Sequence, residues 1–511
     1  MSVSKVLKSW NTEAMSQPNW PISTGSRSTN GSASRNSGCS GSEKRAAGLV
    51  PSGLCQERKG LLSTAEKTLK SRASQAPLFR GVPPAEKLGL AALIMCIYRI
   101  WLRWISKNKG SIIRNMRAFE SFRYKNFKIF WLFQIFSLAG TWMQMVAQGW
   151  LVYEITGSKL LLGLLNAIAG LPILFLTPFG GVIADHVNKK KLLWYTQLVF
   201  ALSSFLVGFL ISTGQISFAA LALITFLVGV ANALDAPARQ AFVVELTEKK
   251  ALPNAIALNS IAFNAARIVG PAAAGFIIGA FGIEDCFYLN AMTFFIMMAG
   301  LMLIKGDFSP VSKWTSGMLE PFFEGARYIY RDKKTLLLMI LVAFTSVLVM
   351  PYAVLMPVFA KDILKVGPQG LGLLMSAGGM GALLSAFMLA QYSSRINFIK
   401  YIIFSTIVVS LSLIAFSISV SFILSCAFLA VLGWGIVSQA ACVNTVLQKE
   451  VPDRMRGRIM GFYTLSFLGL MPIGGFQAGV TAQYLGAPAS LIIGGLICLI
   501  PAVPMALYLR K

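Results

Sequence analysis

The sequence GGVIADHVNKKKLL, Gly180–Leu193, stands between two apolar runs near residues 160–183 and 191–212. Each run holds about twenty apolar residues, enough to cross a hydrocarbon layer about 30 Å thick as a helix. The chain thus leaves one span at Gly180-Gly181, carries Asp185, His186 and three lysines through a short turn, and enters the next span. A soluble core helix has no reason to end in such a cluster and restart at full membrane length.

The same pattern recurs outward in both directions. Spans are expected near 127–150, 160–183, 191–212, 216–236, 254–281 and 285–304, then near 335–359, 368–392, 399–418, 421–445, 458–481 and 487–508. A charged connector, 305–334, separates the two sets of six. If the Lys189 loop is cytoplasmic, twenty Lys and Arg fall on that side. Only Lys159, Lys361 and Lys365 fall on the other, so both termini are expected in the cytoplasm. A weak repeat supports two related halves. ELTEKKALPNAIALNSIAFNAARIVGPAAAG from Glu245 matches QKEVPDRMRGRIMGFYTLSFLGLMPIGGFQAG, ending at Gly479, in placing a charged loop before a Pro/Gly-rich helix end.

Composition agrees. Of 511 residues 55% are hydrophobic and 13% charged, about half the charge of a soluble domain. The net charge of +26 would suggest nucleic acid in a soluble protein, but here much of it lies in the short loops that set orientation, and no nucleic-acid partner is expected. The rest lies in residues 1–118, a Ser/Gly/Arg-rich segment expected to be a disordered extension, with a transit peptide as the alternative. Within it, 88–105 carries Arg99 and Arg103 on one face and reads as an interfacial amphipathic helix rather than a thirteenth span. The seven cysteines lack metal-ligand spacing and read as small apolar residues.

The quoted stretch resembles the second-to-third loop of the major facilitator superfamily. Gly181, Asp185, Lys189, Lys190 and Leu193 match its pattern, while His186 stands where Arg is common and Asn188 replaces a turn glycine. Asn is the expected substitute where a turn needs a left-handed residue. The resemblance implies an all-α membrane fold of twelve helices in two pseudo-symmetric halves. It also implies a latch between the halves centred on Asp185, with Asp235 and Arg239 in the same charge cluster. AARIVGPAAAG, Ala265–Gly275, resembles the fifth-span motif of exporters, with Gly270, Pro271 and Gly275 as its matches. Its plain physical reading is a proline-freed carbonyl with small residues for close packing.

Arg267 lies deep in that fifth span, where a charge is expensive and normally faces a cavity or partner. Ser260, Asn264, Arg267 and Pro271 share one face. That face is expected to line a cavity and contact an anionic or polar substrate, or to pair structurally with another span. Gln134, Ser137, Thr141, Gln144 and Gln148 form a polar stripe on the first span that should face water or protein. Trp142, Trp150 and Tyr153 add aromatic surface, the outer two as candidate interfacial anchors. By family resemblance the first, fourth, seventh and tenth spans line the cavity, which adds Asn232, Tyr352, Trp434 and Gln439.

No phosphate-binding GxxxxGK[ST] occurs, and the lone His186 leaves no His-based triad, HExxH zinc site or histidine cluster. No enzyme, cofactor or metal is expected. Glu154, Asp185, Asp235 and Glu245 fall near span ends, so a proton as coupling ion is implied by the family alone. TWMQMVAQGWLVYEITGS, DAPARQAFVVELTEKKALPNAIALNS and NTVLQKEVPDRMRGRIMGFYTL resemble the secretion-effector branch, which includes siderophore, macrolide and other drug exporters. The chain is therefore expected to be a monomeric, proton-linked exporter of small organic molecules in a bacterial inner membrane. A lipid or lysolipid carrier of the same fold and a membrane sensor or scaffold are the alternatives.

Overall fold

A computed structural model describes residues 116–306, 308 and 319–504. The 88–105 helix and nearly all of the N-terminal extension lie outside the described residues. Twelve described helices are long and apolar enough to cross a membrane. They are α1 Lys125–Thr156, α2 Lys159–His186, α3 Lys189–Ser212, α4 Phe218–Glu245, α5 Leu252–Ala280 and α6 Ile283–Leu303. After a connector helix, Leu319–Arg331, come α7 Lys333–Ile363, α8 Gly367–Tyr392, α9 Phe398–Ile418, α10 Phe422–Glu450, α11 Asp453–Leu485 and α12 Ala487–Pro504. No strand occurs among the described residues.

All twelve expected spans are present, and several helices outrun their apolar segments. α4 continues nine residues past the expected end near 236, to Glu245. Ends that leave the apolar layer are capped locally, because the first N–H groups of a helix have no partner within it. The side chains of Ser158, Asn188, Ser217 and Asn397 accept such N–H groups at the starts of α2, α3, α4 and α9. Residues Met116–Arg123 form a short 3-10 helix that belongs to the bundle: Ser121 donates its backbone N–H to Asn254 Oδ1 and its hydroxyl to the Ala251 carbonyl, at the start of α5.

The halves meet along two seams, α2 against α11 and α5 against α8. Both are built from glycine and proline. A side chain at Gly372 would strike the Pro271 carbonyl, and one at Gly170 would strike the Pro472 ring. The two contacts occupy equivalent places in the two halves, as the internal repeat requires. Proline also explains three local disruptions. π-helical turns at Thr345–Val349, Phe359–Ile363 and Leu465–Gly469 lie beside Pro351, Pro357 and Pro472, each of which removes an intrahelical donor.

The carbonyls freed in this way are covered by glycines of neighbouring helices. Pro351 cannot bond Val347, and a Cβ at Gly474 would stand 2.6 Å from the Val347 oxygen. Pro237 likewise frees Ala233, whose oxygen abuts Gly180, and Pro271 frees Arg267, whose oxygen abuts Gly379. Close backbone approach without a side chain is how membrane helices gain packing when lipid is as apolar as leucine. The bundle's outer face is apolar and exposed, with Phe175, Leu223, Ile261 and Leu411 among its residues. That is the surface a lipid-facing helix presents. Cys286, Cys426, Cys442 and Cys498 are buried inside the bundle and take part in no disulfide.

Candidate functional site

At the end carrying the basic loops, α2 and α3 are joined through Val187 and Asn188 alone. Gly181 and Asp185 thus belong to the last turns of α2; the Asp185 side chain lies outside the described residues. Asn188 corrects the sequence reading. Its φ of −64° is not left-handed; it is the N-cap of α3, its Oδ1 accepting the Lys191 N–H at 3.1 Å. A helix begins one residue later, so an N-cap acceptor is what this position needs. Gly181 has open space where a Cβ would be, whereas Gly180 is pressed against α4.

The latch lysines bond within the first half. Lys189 is buried and pairs with Glu245 at the end of α4, 2.8 Å away. Lys190 Nζ donates to the Ile304 carbonyl, 2.6 Å away, at the end of α6, where unpaired carbonyls attract a cation. Asp235 is not at a helix end but buried ten residues inside α4. It accepts from Arg239 Nε at 2.9 Å, Thr196 Oγ1 at 2.7 Å and Gln197 Nε2 at 3.0 Å. Among residues with described side chains it is the one buried carboxylate. Helix α4 runs on past it and α3 covers it, so it does not sit at a solvated helix end.

The first-span stripe faces mostly protein. Ser137 donates to Gln197 at 3.5 Å, and Gln144 accepts from Ser204 and Asn290, each at 2.5 Å. Gln148 donates to Thr225 at 2.9 Å, and Gln134 is buried. Thr141 is exposed, its hydroxyl satisfied by the Ser137 carbonyl. Cavity lining is thereby corrected for Gln144 and Gln148, which found polar neighbours on α3, α4 and α6, and for Gln134, which is buried with its Oε1 unpaired among the described residues. Gln439 is likewise consumed between Thr345 and Thr406, 2.8 Å from each. Trp434 packs edge-on to Tyr401 and Phe404 of α9 and donates to Met388 of α8, all within its own half. Asn232 bonds the Val228 carbonyl of its own helix.

Midway along the bundle the two halves exchange a polar contact. Arg267, about halfway along the 29-residue α5, and Tyr352 of α7 both lie against α8: a Cβ at Gly379 would stand 3.1 Å from the Arg267 carbonyl, and one at Gly378 3.3 Å from the Tyr352 hydroxyl. Both residues are half-buried, and among the described residues Arg267 forms no ion pair. One position on, the Ile268 carbonyl accepts from Ser376 of α8 at 2.7 Å. The face expected on α5 runs from exposed Ser260 through half-buried Asn264 and Arg267 to buried Pro271, so it opens from the seam. Gly270 and Gly275 seat neighbouring helices: a Cβ at Gly270 would stand 2.5 Å from that of Trp142, and one at Gly275 2.6 Å from the Pro368 oxygen.

At the end opposite the basic loops the halves are tied directly. Tyr153 donates to the Asp362 carboxylate, with the Lys361 ammonium 5.6 Å from the Tyr153 ring. Gln483 of α11 accepts the backbone N–H groups of Lys159 and Leu160, at 3.1 and 3.4 Å, filling two unpaired donors of α2. Sequence reading missed this set. Lys361 counted there only as loop charge, and Trp150 and Tyr153 as anchors, yet both aromatics are buried.

The chain is 23% identical over 371 residues to the Staphyloferrin A transporter of Staphylococcus aureus (strain NCTC 8325 / PS 47), covering 70% of this chain and 91% of that one. It is 26% identical over 386 residues to the Multidrug efflux pump Tap of Mycolicibacterium fortuitum, covering 73% and 93%. A POT family transporter, crystallised with a thioalcohol conjugated peptide, superposes with a TM-score of 0.63 at 12% identity, over 76% of this chain and 96% of that one. The fold is thus the major facilitator fold. With the family model for the transmembrane secretion effector matching residues 116–510, the chain belongs to that family of multi-pass membrane transporters.

Proposed function

We propose that the chain exports small organic molecules of the drug or siderophore type by alternating access, with a proton as coupling ion. The reading rests on one observation. Bonds between the halves lie at the end opposite the basic loops and midway, Tyr153–Asp362, Gln483–Lys159 and Ser376–Ile268. At the basic end, the ion pairs Lys189–Glu245, Arg239–Asp235 and Lys334–Glu450 each stay within one half. A carrier closed at one end and internally paired at the other is poised to rock between two states about a central site.

On the loop-charge assignment the basic end is cytoplasmic, both termini lie there, and the state is open to the cytoplasm. Asp185 is the latch of the opposite state. Thr141, Asn264, Arg267 and Tyr352 border the substrate path. Efflux by the Multidrug efflux pump Tap supports outward movement, and staphyloferrin A transport by the other relative supports a small organic cargo. Everted inner-membrane vesicles incubated with a panel of drugs and siderophores in the medium test this, with and without a pH gradient. Accumulation that follows the gradient is expected; absence of any chain-dependent accumulation across the panel sinks the reading.

A further inference from the structure

Arg267 of α5 and Tyr352 of α7 come from opposite halves and lie against adjacent glycines of α8, Gly379 and Gly378. The guanidinium has only donors and the phenol O–H can donate, so the two side chains can offer hydrogen bonds to one anion. No carboxylate among the described residues pairs with Arg267; Asp235 is engaged by Arg239, and Asp362 by Tyr153. A cation held at mid-depth in a membrane bundle calls for an anion, or the bundle carries its desolvation cost uncompensated.

The backbone around the pair is fixed from both sides. Pro271 frees the Arg267 carbonyl, which is met by Gly379, and Ser376 bonds Ile268 at 2.7 Å. A Cβ at Gly378 would stand 3.3 Å from the Tyr352 hydroxyl, so α8 leaves that hydroxyl room. We infer that Arg267 and Tyr352 together bind a carboxylate or similar oxyanion of the transported molecule, one donor group coming from each half. The inference rests on the exporter reading and narrows it: an anionic cargo is favoured over the lipophilic cations common among drugs. Because the anion takes donors from both halves, its arrival and departure change how tightly they are held together.

Binding of two dyes that share a xanthene ring system tests it, with the full chain in lipid nanodiscs and fluorescence anisotropy as readout. Carboxyfluorescein is the anion and rhodamine 123 the cation. Wild-type protein should bind carboxyfluorescein at least about tenfold more tightly than rhodamine 123, and Arg267→Gln should erase that preference. Arg267→Lys should keep part of it, and Tyr352→Phe should weaken carboxyfluorescein about threefold through loss of one donor. These two variants retain the charge or the ring, so they report even if Arg267→Gln folds poorly. Carboxyfluorescein binding that is absent, equal in wild type and Arg267→Gln, or weaker than rhodamine binding overturns the inference. Binding is read without transport, so selective anion binding with no export would instead overturn the exporter reading.

Discussion

The hydroxyl of Tyr153, in the last turn of α1, donates to the carboxylate of Asp362, in the π-helical end of α7, and so ties the two halves together. Asp362 is exposed, which limits the bond to about 1 kcal/mol, close to a fivefold shift between two states. Tyr153→Phe should therefore raise the population open at that end about fivefold without unfolding the protein. Spin labels at Gln215 and Val420, in loops of opposite halves at that end, would report the change by pulsed electron–electron distance measurement. An unchanged distance distribution would remove this bond from the gate.

Asp235 and Arg239 make a different prediction because the carboxylate is buried and its partner half-buried. Removing one partner leaves the other charged and dehydrated, at about 3 kcal/mol or more. Asp235→Asn and Arg239→Gln should each lower thermal stability in detergent, and the double variant should lose less than the sum. Thr196→Val, which deletes one neutral donor to the same carboxylate, should cost about 1 kcal/mol. Strict additivity of the two charge variants would show that the pair does not act as one unit.

The span count was legible because apolar length and loop charge are local properties of the chain. The halves were legible too, since the Pro/Gly pattern at Pro271 recurs at Pro472 and both prolines sit at equivalent seams. Side-chain direction was not. Gln144 and Thr141 lie three residues apart on the same stripe, yet one is consumed by Ser204 and Asn290 and the other is exposed. Helical spacing places a residue on a face but does not say which neighbour covers it. Asp235 was misplaced for a related reason: hydropathy ends at the first charges, whereas helix α4 runs on to Glu245.

Gly180 and Gly181 are adjacent in sequence and opposite in packing. A methyl at Gly180 would strike the Ala233 carbonyl that Pro237 frees, while one at Gly181 meets nothing within 4 Å. Gly180→Ala should cost about 2 kcal/mol as α2 is pushed off α4. Gly181→Ala should leave thermal stability unchanged in this state. If Gly181 closes against the other half when the carrier turns over, the same variant should slow transport in proteoliposomes despite its normal stability. Equal loss of stability in both variants would contradict the packing difference.

Asn188 separates two physical accounts of the same residue. If the turn required a left-handed backbone, Asn188→Gly would stabilise the protein, and Asn188→Ser and Asn188→Ala would be similarly harmful. As the N-cap of α3, with φ −64° and its side chain on the Lys191 N–H, it should behave otherwise. Asn188→Ser and Asn188→Asp should then be close to neutral, and Asn188→Gly should cost a few tenths of a kcal/mol. Asn188→Ala should cost about 1 kcal/mol, because one N–H at the start of α3 loses its acceptor. The Lys191 amide provides a second readout, since its hydrogen exchange should quicken in Asn188→Ala and stay slow in Asn188→Asp. A gain in stability for Asn188→Gly, with fast exchange in Asn188→Asp, would restore the left-handed account.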